Sequence, residues 1–155
     1  MLLPIEINGQ QKAVYAEPNE LLLDVLRNEG YFGVKRGCAD GNCGSCIVLI
    51  NDIPRKTCIM LIGQAHGKII VTAEGLGTPD NPHPVHEMFV EEAGVQCGFC
   101  IPGMTLAATA LLIKTPNPTK DQIEESIEGN LCRCTGYIKQ VTAIERAAEI
   151  LRGGT

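Results

Sequence analysis

The side chains best suited to chemistry are eight cysteines, and they fall into two sets of four. In the first half, GCADGNCGSC spaces Cys38, Cys43 and Cys46 as C-x4-C-x2-C, and Cys58 follows after eleven residues. In the second half, QCGFC supplies Cys97 and Cys100, and GNLCRCTGY supplies Cys132 and Cys134 with Arg133 between them. A thiolate is a soft anionic ligand, and four thiolates complete the shell of zinc or of an iron–sulfur group. Disulfides are the other use of paired thiols. The opening stretch, MLLPIEINGQQKAV, has no basic n-region and no long apolar run, so a secretory signal is not visible. Without one, the chain is expected in the cytoplasm, where paired cysteines read as ligands before disulfides.

The C-x4-C-x2-C…C spacing is that of plant-type [2Fe–2S] ferredoxins. Three thiolates must converge from one short, tightly wound segment, and Gly37, Gly41 and Gly44 permit the backbone angles this needs. Bare N–H groups in such a loop can also point at sulfur and help set a reduction potential. A glycine-rich zinc loop is the alternative. For the second set, two loops that each precede a helix can bring four thiolates together at helix N-termini. Spacing alone leaves zinc a serious rival there.

The elements that must position these cysteines change character along the chain. Residues 3–7 and 12–16 flank Asn8-Gly9, a strong hairpin signal. A helix is expected over 20–29, with Asn19 as N-cap and Gly30 just past its end. Residues 47–50 and 53–56 flank Asn51-Asp52 as a second hairpin, and 68–72 is a last β-rich run. This pattern is compatible with a β-grasp sheet. AEGLGTPDNPHP reads as a linker. Helices are then expected over 85–93 with Gly94 as stop, over 103–114, from a Thr119/Gln122 capping box to Gly129, and over 137–151. The last should carry Val141, Ile144, Ala148 and Leu151 on one face. The expected organisation is a domain over 1–76, a linker over 77–84 and an all-α four-helix domain over 85–155.

Other features read as structural. The net charge of −5 and the lack of a basic patch argue against nucleic acid. TLAATALLI is about half a membrane span, so it reads as core or subunit interface. His83 and His86 in HPVH suit a helix cap or an interface contact better than a metal site, and His66 reads as a loop residue. The acidic run 121–128 reads as a solvated helix face. Arg133 either offsets the charge of a bound anionic group, pairs with a neighbouring subunit or faces solvent. No nucleophile–base pair stands out, and the glycine-rich loop lacks the Lys-Ser/Thr of a phosphate loop.

Together, GCADGNCGSC, QCGFCIPG and GNLCRCTGY resemble the two-cluster iron–sulfur subunit of the molybdenum hydroxylases: xanthine dehydrogenase, aldehyde oxidoreductase, carbon monoxide dehydrogenase and nicotinate dehydrogenase. The resemblance covers nearly the whole chain. It implies an α+β fold, with an N-terminal β-grasp, plant-ferredoxin-like domain holding one [2Fe–2S] cluster through Cys38, Cys43, Cys46 and Cys58. It implies a four-helix domain holding a second through Cys97, Cys100, Cys132 and Cys134. It further implies that Gln96 and Cys134 contact the pterin of a molybdopterin cofactor, Cys134 linking it to the cluster. That cofactor and FAD would belong to a large and a medium partner subunit, in a dimer of heterotrimers. The implied role is electron transfer from molybdenum to flavin, one electron at a time, during oxidation of a purine, another N-heterocycle or an aldehyde. The chain would be part of an oxidoreductase without being catalytic alone. A free-standing two-cluster ferredoxin and a zinc-stapled interaction module are the competing readings.

Overall fold

Six-residue strands open the chain. β1 (Leu2–Ile7) and β2 (Gln10–Tyr15) pair antiparallel around Asn8-Gly9. Both turn residues have positive φ, 51° and 76°, as a two-residue primed turn requires. The computed structural model describes residues 2–153. Met1, Gly154 and Thr155, at the outer ends of the two expected domains, lie outside the described residues.

Along β1 the side chains of Leu3, Ile5 and Ile7 point inward and are buried. The helix α1 (Leu22–Asn28) covers them with Leu22, Leu23, Val25 and Leu26. Its start differs from expectation. Leu21, not Asn19, is the N-cap residue and makes no side-chain cap. Instead the Leu22 N–H donates to the Met60 carbonyl, a tertiary bond that sequence pattern does not reveal. The end follows the glycine rule: Gly30 has φ 93°, and N–H groups of Gly30 and Tyr31 donate back to the Arg27 and Leu26 carbonyls.

β3 (Ile47–Ile50) and β4 (Ile53–Lys56) form the second hairpin around Asn51-Asp52, and β5 (Ile69–Val71) completes the sheet. The strand order is β2-β1-β5-β3-β4, with β1 and β5 parallel and the other neighbours antiparallel. This mixed sheet under one helix is the ferredoxin-like α+β arrangement. β3 is buried on both faces. Val48 and Ile50 join the core under α1, whereas Ile47 and Leu49 join a second cluster with Leu76, Leu106 and Ala110.

The linker stretch holds more structure than its composition suggests. β6 (Gly77–Thr78) and β7 (Asn81–Pro82) form a minimal ribbon around Pro79-Asp80. Four helices follow: α2 (Pro84–Glu91), α3 (Ile101–Lys114), α4 (Lys120–Ile127) and α5 (Ile138–Leu151). Phe89, Met104, Ile123, Ile127 and Ile144 meet in their core. Arg146 of α5 bridges to Glu91, the last residue of α2, and to Glu92 just past its end. The Thr119/Gln122 capping box forms as expected. The α2 stop differs: Ala93 takes the left-handed conformation, φ 53°, and Gly94 follows it. Leu151, the last residue of α5, lies at the end of the expected stripe and is nearly half exposed.

Candidate metal centres

The first cysteine loop runs from α1 to β3, tucked against the end of the sheet. Its backbone turns inward through Ala39, Gly41 and Gly44, all with positive φ. The N–H groups of Asn42 and Cys43 both donate to Cys38 Sγ, each at 3.3 Å. Ser45 Oγ lies 3.1 Å from Cys43 Sγ. Cys58 arrives separately, on a 3-10 turn just after β4 (Thr57–Ile59). Thr57 fixes that turn to the loop, its hydroxyl donating to the Cys46 carbonyl at 2.9 Å. Lys56 Nζ donates to the Gly41 carbonyl at 2.7 Å, closing the other side. Hairpin and loop thus bring Cys58 beside Cys46.

The second set comes from two loops, and each leads into a helix. Cys100 is the N-cap residue of α3, and Cys97 sits one tight turn earlier, with Gly98 at φ 79°. Cys132 and Cys134 precede α5, whose N-cap residue Tyr137 is left-handed at φ 70°. The Tyr137 ring folds back over the loop so that the Cys132 N–H donates to its hydroxyl at 2.7 Å. Thr135 Oγ1 lies 3.1 Å from Cys132 Sγ. Cys134 Sγ and Cys97 Sγ are 3.6 Å apart and exposed, and Gln96 Nε2 donates to the Cys134 carbonyl at 3.2 Å. All eight cysteines are free thiols.

The thiols make their hydrogen-bond contacts in twos, while charge on Cys38 also reaches Cys58, charge on Cys97 reaches Cys100 and charge on Cys132 reaches Cys134. Cys38 interacts with Cys43, Cys46 with Cys58, Cys100 with Cys132 and Cys97 with Cys134. Among the described residues, no three His, Cys, Asp or Glu side chains gather into a site for a single metal ion. Burial pushes the Cys58 thiol up to about 11, with a hydrogen bond to Cys46 adding to the effect. Burial likewise pushes Cys100 up to about 12, helped by Cys132. Burial opposes ionisation of Cys132 too, but hydrogen bonds from Thr135 and the Cys134 backbone outweigh it and hold this thiol at about 7. Burial also works against Cys43, yet its Ser45 and Cys38 hydrogen bonds bring it below the ordinary thiol value. A hydrogen bond with Cys97 leads in raising Cys134.

This donor set fits an iron–sulfur group. Four sulfurs grouped two and two suit a pair of irons better than one tetrahedral ion. Buried thiols raised to about 11 and 12 stay protonated at neutral pH unless a cation stabilises their ionised form. N–H and O–H groups already aim at the sulfurs.

The remaining candidates fall elsewhere. His83 caps α2, its Nδ1 accepting from the Val85 N–H, and His86 Nε2 lies 3.2 Å from Thr105 Oγ1. Arg133 is exposed and takes part in none of the ion pairs among the described residues. Sequence reasoning passed over Asn130 and Gln140. Both are buried: Asn130 donates to the Gly44 carbonyl at 3.1 Å, and Gln140 Nε2 lies 3.9 Å from Cys100 Sγ. The i, i+4 spacing of Gln140 from Ile144 was the available signal, since it puts the amide on the buried stripe.

Two family descriptions match the chain: a 2Fe-2S iron-sulfur cluster binding domain over residues 5–62, and a [2Fe-2S] binding domain over residues 72–145. The nicotinate dehydrogenase small FeS subunit of Eubacterium barkeri is 47% identical over 146 residues, covering 94% of this chain and 93% of that one. The crystal structure of quinoline 2-oxidoreductase from Pseudomonas putida 86 contains a chain that superposes with a TM-score of 0.94 at 40% identity, over 99% of this chain and 97% of that one. Aldehyde oxidoreductase from Desulfovibrio gigas superposes with a TM-score of 0.96 at 36% identity, over 99% of this chain but only 17% of its own length. The same fold therefore occurs both as a separate small chain and as one portion of a much longer one, and the present chain belongs to the two-[2Fe–2S] iron–sulfur subunits of the molybdenum hydroxylase family.

Proposed function

We propose that this chain is the electron-transfer subunit of a molybdopterin-dependent hydroxylase. The observation that carries the reading is the gathering of eight free thiols into two sets of two pairs, their loops hydrogen-bonded to each other. Cys38, Cys43, Cys46 and Cys58 would hold one [2Fe–2S] group over residues 1–76. Cys97, Cys100, Cys132 and Cys134 would hold the other over 85–155, with 77–84 between. Each group, when bound, supplies one-electron redox chemistry, so a two-electron oxidation in one partner can be drained singly to a flavin in another.

The chain's own residues mark where a partner would meet one of the two groups. Cys97 and Cys134 lie exposed, while Cys46, Cys58 and Cys100 are buried. Phe99, Leu131 and Ile138, in or beside the same two loops, leave 46%, 58% and 78% of their surface exposed. An apolar collar around exposed ligands is a docking surface. We assign it to the large molybdopterin-binding subunit, with the Gln96 amide and Cys134 meeting the pterin. Gln96 is suited to this because its amide offers both a donor and an acceptor. A medium FAD-binding subunit would meet the first-set side. The complex would be a cytoplasmic dimer of such heterotrimers, and the matched nicotinate, quinoline and aldehyde enzymes, with the xanthine dehydrogenases that the chain also resembles, point to an N-heterocycle, a purine or an aldehyde as substrate class.

The test is iron, zinc and acid-labile sulfide analysis of the purified protein with whatever subunits accompany it. Four irons and four sulfides per chain are expected, on the order of two per cluster. Zinc without iron sinks the reading. Recovery from its native source as a lone iron-containing monomer would instead assign it to free-standing ferredoxins.

A further inference from the structure

Among the described residues, two buried side-chain polar atoms lack a hydrogen-bond partner: Asn130 Oδ1 and Gln140 Oε1. Both belong to amides beside the cysteine loops. Gln140, at the third position of α5, is fully buried. Its Nε2 lies 3.3 Å from the Gly94 carbonyl and 3.9 Å from Cys100 Sγ. An amide nitrogen carries two protons, so both contacts can be made at once. The loop at Gly94 approaches closely enough that a Cβ there would lie 3.4 Å from Gln140 Cγ.

Packing alone does not account for this side chain. Burying an amide whose oxygen stays unpaired is unfavourable, and methionine would fill a similar volume without that penalty. What the amide offers and methionine lacks is a pair of donors, one for the Gly94 carbonyl and one aimed at a buried ligand sulfur. A hydrogen bond to sulfur strengthens as the sulfur gains negative charge, and more so in a low-dielectric interior. It therefore favours the reduced form of a group bound there.

We propose that Gln140 is a positioning residue that ties Cys100 Sγ to the Gly94 carbonyl and raises the reduction potential of the cluster held by the second cysteine set. This rests on the iron–sulfur reading above. Reduction adds one electron to the cluster, moves no proton and breaks no bond. Gln140 acts from the buried side, opposite in character to the exposed Cys97 and Cys134.

The test is a potentiometric titration with dithionite, followed by electron paramagnetic resonance, on the full chain with its accompanying subunits. The signal that survives Cys43→Ser identifies the second-set cluster. In Gln140→Met its reduction equilibrium should fall about tenfold, which is about 59 mV for one electron, while the first-set signal stays in place. Gln140→Leu also removes the donor and should lower the potential to the same extent. Unchanged potentials in fully loaded Gln140→Met overturn the proposal, as does an equal shift of both signals. Loss of the cluster from both variants also overturns it, because it assigns Gln140 to assembly. Iron and sulfide analysis of the unmutated chain tests the underlying cluster reading separately.

Discussion

At the scale of single residues, the thiols of each set differ in what surrounds them, and that difference makes single substitutions informative. Cys43 lies in a loop whose other proposed ligands, Cys38 and Cys46, are fixed by backbone and Thr57 hydrogen bonds that do not involve the second set. Cys43→Ser should therefore remove about half of the iron and one of two paramagnetic signals, leaving the other unshifted; loss of both would join the two centres into one folding unit. Gln96 is exposed, and its contact is a single hydrogen bond to the Cys134 carbonyl. Gln96→Leu should leave the unfolding free energy within the range of about ±0.5 kcal/mol usual for surface changes, yet slow turnover of the assembled complex; unchanged turnover removes Gln96 from the pterin contact. The cysteines were legible in the sequence because their chemistry lies in residue type and spacing. Ser45, Thr135 and Tyr137 were not, because what they do depends on where a left-handed turn points them. Tyr137 reads as the first residue of a helix, and only its φ of 70° shows that its ring turns back over Cys132.

At the scale of elements, hairpins and helix bodies follow from periodicity, whereas their ends depend on neighbours. α1 begins where Met60 accepts a bond, so the good N-cap residue Asn19 goes unused. α2 ends at a left-handed Ala93 rather than at the following glycine. An L-residue in that conformation is disfavoured by about 1–2 kcal/mol, and glycine gives back roughly half of that as added unfolded-state entropy. Ala93→Gly should thus stabilise the chain by about 0.5–1 kcal/mol, visible as a higher denaturant midpoint with unchanged slope. The N-terminal end of α2 predicts a pH dependence. Burial lowers both His83 and His86 from their ordinary value of 6.5, and His83 adds to the lowering of His86. The folded chain therefore binds fewer protons than the unfolded one just below that value. The histidine contribution to stability is complete above pH 6.5 and is lost as pH falls toward the depressed folded values. A His83→Asn/His86→Asn double variant should show a flatter fall in unfolding midpoint between neutral and acidic pH than the parent. An equally steep fall would assign the acid sensitivity to carboxylates.

At the scale of the whole molecule, two expected domains turn out to share a seam that no periodicity announced. IVLI in β3 reads as a short apolar run, and only the structure divides it between Val48 and Ile50 under α1 and Ile47 and Leu49 against Leu106 and Ala110 of α3. The two cysteine loops meet along the same seam. The Leu131 N–H donates to the Cys43 carbonyl at 2.8 Å, and Asn130 Nδ2 donates to the Gly44 carbonyl at 3.1 Å. Glycine is required here by proximity. A Cβ on Gly103 would collide with the Gly44 carbonyl and stand 3.2 Å from Asn130 Nδ2. This gives a test whose sign separates a docked seam from a loose one. Gly103 lies inside α3 without positive φ, where replacing glycine by alanine favours the helix by about 1 kcal/mol in isolation. Overpacking against a fixed backbone instead costs about 1–3 kcal/mol. If the two halves are held together as a unit, Gly103→Ala should lower stability by up to about 2 kcal/mol, read as a fall in the unfolding midpoint. It should also disturb the second-set and first-set paramagnetic signals together, since the displaced Gly44 carbonyl lies between Cys43 and Cys46. A rise in the midpoint would mean that the halves part readily and that the alignment of the two cysteine loops depends on the partner subunits.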